Sequence, residues 1–199
     1  MRAISLEQSQ LSWGPLVLTE EKINYLWAKL HEFPQVFDDF GRSDFNGFVA
    51  KLLNKNNIFL DIGPGIGLAC GMAIRPGLDT VLHLVMFDRR LRGRELIFLD
   101  IMGHFFRVLQ LRRMTVMLTA DNRTAIKLVQ RLGFIQEGCM RNAIKRDNQL
   151  LDVEIFGILR EEFDEAYTAQ SVGPVTDRNI TPGTNSVSLG NATKESASI

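Results

Sequence analysis

Between an apolar run, VLHLVMF at 81–87, and a second, LIFLDIMGHFFRVL at 96–109, lies RRLRGRE, Arg89 to Glu95. Four arginines and one glycine at a strand-to-helix turn suit an anion, because guanidinium groups bring charge and the first N–H groups of a helix lack intrahelical partners. Glu95 is the oddity, a carboxylate closing a cationic turn. Two groups able to take a proton stand just upstream: His83 inside the apolar run and Asp88 at its end. Each also has a plainer role, His83 as a structural strand histidine and Asp88 as the partner of a neighbouring arginine. Further on, Asn122 precedes an apolar-periodic segment and is placed to cap a helix.

Other chemistries fit less well. Cys70 and Cys139 have no CxxC spacing, which argues against zinc, a redox motif or a disulfide scaffold and favours reduced, cytoplasmic surroundings. GPGIGLACG at 63–71 resembles a dinucleotide-binding loop only superficially. The sixth position from Gly65 is Cys70, that from Gly63 is Leu68, and a strand rather than a helix follows, so a hairpin turn is expected. Twenty-three basic and twenty-three acidic residues cancel, so any charge-based function is local. Arginines at 89, 90, 92, 94, 107, 112 and 113 offer nucleic acid a basic face, but no nucleic-acid motif accompanies them. The N-terminus has no signal-peptide core, and no run approaches the roughly 18 apolar residues of a membrane span.

The elements that must hold these groups follow from periodicity. Thr19 before Glu20 and Glu21 caps a helix with Ile23, Leu26, Trp27 and Leu30 on one face, and a second short helix fits 43–54. Three strands follow, at 57–62, 67–74 and 80–87, separated by turn residues. A helix to about Leu111, a strand at 114–120 and a helix at 122–132 stopped by Gly133 come next. FIQEGCM and LLDVEIFGIL close the pattern as strands around a KRDNQ turn. The expected fold class is α/β (α+β): a mostly antiparallel central sheet, helices on both faces, and one parallel strand pair joined through a helix. The domain spans 1–167. From Thr168 the chain turns rich in Ser, Thr, Asn and Gly, and 168–199 reads as a flexible tail.

One segment carries more than pattern. ADNRTAIKLVQRLGFIQEGCMRNAIKRDNQLLDVEIFGILREEF, 120–163, sets Asn122, Ala125, Gly133-Phe134, Glu137-Gly138, Arg141 and Asp152 at separate places along strand, helix and strand pair. The set resembles the C-terminal half of the GNAT superfamily of acetyl-CoA-dependent N-acyltransferases. It looks most like the branch that acetylates ribosomal-protein N-termini, antibiotics and other small amines. The resemblance implies a GNAT-like sheet whose parallel pair splays apart, and direct acetyl transfer from acetyl-CoA to an amine acceptor without a metal.

The resemblance also implies roles. Arg90, Arg92, Gly93 and Arg94 would form the loop that cradles the coenzyme pyrophosphate, with Glu95 where relatives carry a small residue. Val85, Met86 and Phe87 would offer backbone hydrogen bonds to the pantetheine arm, and Asn122 would contact that arm, cap its helix, or both. His83 and Asp88 are the candidate bases. Many relatives place a tyrosine, donor to the leaving thiolate, seven residues after the asparagine; Val129 stands there. Asp152 would orient Arg141 or lie on the surface. An alternative keeps the fold without turnover. The chain is also similar to inactive GNAT-like virion-associated proteins of short-tailed bacteriophages, in which protein partners would be met through the C-terminal tail.

Overall fold

A computed structural model of the chain describes residues 12–32, 44–88 and 95–171. Seven strands form one sheet in the order β1-β2-β3-β4-β5-β7-β6. They are β1 (Trp13–Pro15), β2 (Ile58–Ile62), β3 (Gly67–Arg75), β4 (Asp79–Met86), β5 (Arg113–Thr119), β6 (Ile135–Arg146) and β7 (Gln149–Leu159). Every neighbouring pair is antiparallel except β4 and β5, which run parallel through the crossover helix α4 (Glu95–Val108). The expected α/β architecture with one parallel pair is thus the observed one.

Local chemistry starts the helices where the sequence indicates. Thr19 Oγ1 accepts from the Lys22 N–H at 3.1 Å and opens α1 (Glu20–His31). Asp44 Oδ1 accepts from the Gly47 N–H at 2.7 Å and opens α2 (Phe45–Leu53). GPG becomes a single short turn, α3 (Gly63–Ile66), between antiparallel β2 and β3, so the hairpin reading holds. Gly65 has φ +70°, and a Cβ there would sit 2.7 Å from Tyr25 Oη; glycine answers both the backbone angle and the contact.

The two sheet faces have separate cores. On one, Phe98, Met102 and Phe106 of α4 join Ile126 and Val129 of α5 (Arg123–Arg131) and Phe163 of α6 (Arg160–Ser171) over Leu82, Val116 and Phe156. On the other, Leu26 and Leu30 of α1 and Phe48 and Leu52 of α2 cover Phe59, Leu68, Cys70 and Val85. Each such side chain removed from water contributes roughly 1.5–3 kcal/mol, so both helix layers are anchored independently. Cys70 is fully buried and its thiol pKa is pushed up by desolvation, while Cys139 is exposed; both are free thiols.

Three boundaries differ from the expected ones. β1 is not among the expected elements, since Gly14 and Pro15 disfavour strands, yet an edge strand of three residues tolerates them. β6 runs on to Arg146, past an irregularity between Met140 and Ile144 where Asn142 takes φ +53°. α6 extends through Ser171, four residues beyond the expected domain limit; the rest of the tail, 172–199, lies outside the described residues. No described helix is long and apolar enough to cross a membrane.

Candidate active site between the diverging strands

The parallel pair is paired only at its base. Asp79, Thr80 and Val81 stand opposite Arg113, Met114 and Thr115, and the ladder ends there. Beyond it β4 and β5 separate, and a cavity of about 360 Å³ opens between them. Its walls include every residue of β4 from Leu82 to Met86 and every residue of β5 from Val116 to Thr119. Successive strand side chains point to opposite faces. A cavity touched by consecutive residues of both strands therefore lies in the gap between the strand edges, where residues of the α4 face and of the α1 face meet. Such a gap at the carboxyl ends of parallel strands is a usual place for a ligand.

β4 supplies His83, half-buried in the cavity wall. It stands in register with Cys70, which belongs to the α1-side core, so its imidazole is on the α1 face. Val85 and Met86 also line the cavity. Phe87 does not; it packs with the α1-side core, and its N–H donates to the Ile66 carbonyl at 2.9 Å. The Asp88 N–H reaches the same carbonyl at 3.2 Å, which holds Asp88 at the strand end and outside the cavity wall. The structure thus brings His83, Val85 and Met86 together around the gap and leaves Phe87 and Asp88 beside it.

On the other wall Asn122 closes the turn after β5. Its Oδ1 accepts from the Ala125 N–H at 3.2 Å, so it caps α5, and its side chain also lines the cavity. Val129, seven residues on, is buried in the same wall. Arg90, Arg92, Gly93 and Arg94 lie outside the described residues. Glu95, the first residue of α4, accepts from Arg131 of α5: Nη2 at 2.9 Å and Nε at 3.1 Å. Asp152 Oδ1 accepts from the Asn142 N–H at 2.8 Å and so holds the β6 irregularity.

Several wall residues had no signal in the sequence. Thr119 and Thr124 add hydroxyls, and Met117 and Met140 add flexible apolar surface. Arg146 falls in the segment expected to be an exposed turn, yet its side chain is only 10% exposed. It donates to Asp121 Oδ2 at 2.7 Å and to Thr119 Oγ1 at 3.4 Å, tying the β6–β7 hairpin to the turn that presents Asn122. A charged residue beside a turn reads as surface, and only the fold shows where the hairpin bends. Among the described residues no group of three His, Cys, Asp or Glu side chains is arranged to hold a metal ion.

No protein-family model matches the chain, and no curated protein matches it in sequence. Solved structures do match in shape. Spermidine N-acetyltransferase from Vibrio cholerae in complex with CoA and spermine is 16% identical with a TM-score of 0.64, over 78% of this chain and 99% of that one. A point mutant of the same enzyme gives 14%, 0.63, 77% and 97%. A structure assigned only provisionally as an acetyltransferase is 17% identical with a TM-score of 0.62, over 84% of this chain and 93% of that one. At these identities the likeness shows architecture alone: this chain shares the GNAT-like fold of these structures.

Proposed function

We propose that the protein is an N-acyltransferase that moves an acetyl group from acetyl-CoA to an amine by direct transfer. The observation that carries this reading is the cavity where β4 and β5 part: residues of both sheet faces meet around it, which leaves room for a thioester and an amine to come together there. The residues present fit the coenzyme. β4 beyond Val81 has lost its ladder with β5, so Met86 offers its backbone N–H and C=O to an extended chain laid in the gap, while Val85, paired with Leu68, directs its own to β3 and adds only its side chain. Asn122 stands opposite them. α4 and α5 both pack on one face, and α4 begins at Glu95, directly after the arginine-rich stretch in the sequence. Acetyl-CoA supplies the activated thioester.

The acceptor then approaches from the α1 face, where His83 stands. Its nitrogen forms the new C–N bond as the C–S bond breaks, and His83 takes the amine proton, with Asp88 at the strand end as the second candidate. Val129 has no proton to give the leaving sulfur, which therefore must draw one from solvent or from the protonated base. The test is calorimetric titration with acetyl-CoA, followed by thiol release over an amine panel. Binding with amine-dependent thiol release is expected. No binding at millimolar ligand would overturn the reading and leave a fold without its former chemistry.

A further inference from the structure

The side of the cavity that faces α1 is apolar, and that surface continues across the sheet. Thr119 of β5, Val153 of β7 and Met140 of β6 stand in one row by register, and all three line the cavity. In the next row Met117, also a wall residue, is opposite Ile155. The row after that ends at Ile135, an isoleucine left 58% exposed. The Arg113–Glu137 ion pair lies over Gly157 and closes the strip with charges that cancel each other. Among the described residues the polar lining of the gap is His83, Thr119, Asn122 and Thr124, all without formal charge when the histidine is neutral.

From this surface we infer that the acceptor is a monoamine carried on an apolar body. The inference rests on the reading of the cavity as an acyl-transfer site. An amine entering an apolar mouth finds its ammonium form disfavoured by desolvation, which promotes the neutral form that attacks a thioester. One proton passes to His83, and no charge is left behind in the substrate. A polyamine loses only one of its charges in this way. Its remaining ammonium groups would have to leave water for methionine, valine and isoleucine, and an ion so placed costs several kcal/mol unless it is paired. Met117 and Met140, unbranched and polarizable, suit an apolar body of variable shape.

The experiment compares hexylamine and phenethylamine with putrescine and spermidine as acceptors, by thiol release on the full chain with saturating acetyl-CoA. The apolar monoamines should show kcat/KM at least about tenfold above the polyamines, the order expected when one ammonium is left poorly solvated. Met140→Glu, at a position 40% exposed and therefore tolerant of charge, should narrow that ratio by raising polyamine turnover. Equal or better use of spermidine by the unaltered protein would overturn the inference while leaving acyl transfer intact, and coenzyme binding with no thiol release from either amine class would overturn the inference and leave only coenzyme binding. Failure to bind acetyl-CoA at all would overturn the acyl-transfer reading and this inference with it.

Discussion

Asn122 caps α5 and, under the proposed function, also meets the coenzyme, and one substitution can separate the two roles. Its Oδ1 is spent on the Ala125 N–H, so its amide NH2 is what remains to offer a ligand in the cavity. Asn122→Ala removes both. Loss of the cap should cost about 1 kcal/mol, which lowers Tm by about 2–4 °C in a domain of this size. Asn122→Asp keeps the capping oxygen and adds a negative charge at the start of α5, where the helix dipole favours it by about 0.3–1 kcal/mol. Its stability should equal or slightly exceed that of the unaltered protein. The aspartate has no donor, however, and one lost hydrogen bond of about 0.5–1.5 kcal/mol weakens coenzyme binding by roughly two- to tenfold. Thermal unfolding and calorimetric titration of the two variants make the check. If Asn122→Asp loses as much stability as Asn122→Ala, the cap is not what holds α5. If its coenzyme affinity is unchanged, Asn122 does not contact the ligand.

Two further outcomes concern the scaffold. His104 of α4 packs edge-on against Trp13 with ring centroids 4.8 Å apart, and burial first, then Arg107, holds its pKa below the ordinary 6.5, with Asp100 opposing. Its neutral form is favoured in the fold, so its stability contribution is complete above pH 6.5 and is lost as the pH falls towards the depressed value; His104→Gln should show a smaller drop in urea midpoint between pH 7.5 and 5.5, and an equal drop would refute the assignment. Gly133 ends α5 with φ +94°, and a Cβ there would lie 3.3 Å from Ile158 Cδ1. Gly133→Ala should cost about 1–2 kcal/mol in urea denaturation, and a neutral result would mean that the turn can relax to a negative φ.

The legible parts of this fold are those set by local chemistry. Thr19 and Asn122 announce helix starts because a capping oxygen acts within three residues, and Gly133 announces a stop for a comparable reason. α6 was legible too, since Glu161 and Glu162 open it and Phe163 and Tyr167 repeat at helical spacing towards α4; the two strands before it drew the reading away. β1 was not, because three residues have no period, and it exists only by pairing with β2. The candidate site divides in the same way. His83 stands out by its place in a strand and Asn122 as a helix cap, whereas Val85 and Met86 are implied only by the family resemblance, and the structure brings the four around one gap. Met117, Met140 and Thr119 join them only because β4 and β5 part after three paired residues, and nothing in either strand marks the point of parting.

Glu95 shows how a partner changes the meaning of a charge. Taken alone, a carboxylate in contact with a diphosphate at about 4 Å opposes it by about 4 kcal/mol at an intermediate dielectric, enough to abolish useful binding. In the structure Glu95 holds Arg131 at 2.9 Å, so the two contribute almost no net charge at the start of α4. The pair itself adds little stability, since Arg131 is 57% exposed and such bridges contribute at most about 1 kcal/mol. A weakly committed pair has a further property: an arriving phosphate can draw Arg131 towards itself at small cost. Arg131 shared between the carboxylate and a phosphate would, under the proposed function, lower the repulsion that Glu95 alone exerts. Glutamate also keeps backbone from approaching an anion as closely as a small residue allows, so Glu95→Gly should tighten coenzyme binding in calorimetric titration, and an unchanged affinity would mean that the side chain does not meet the ligand.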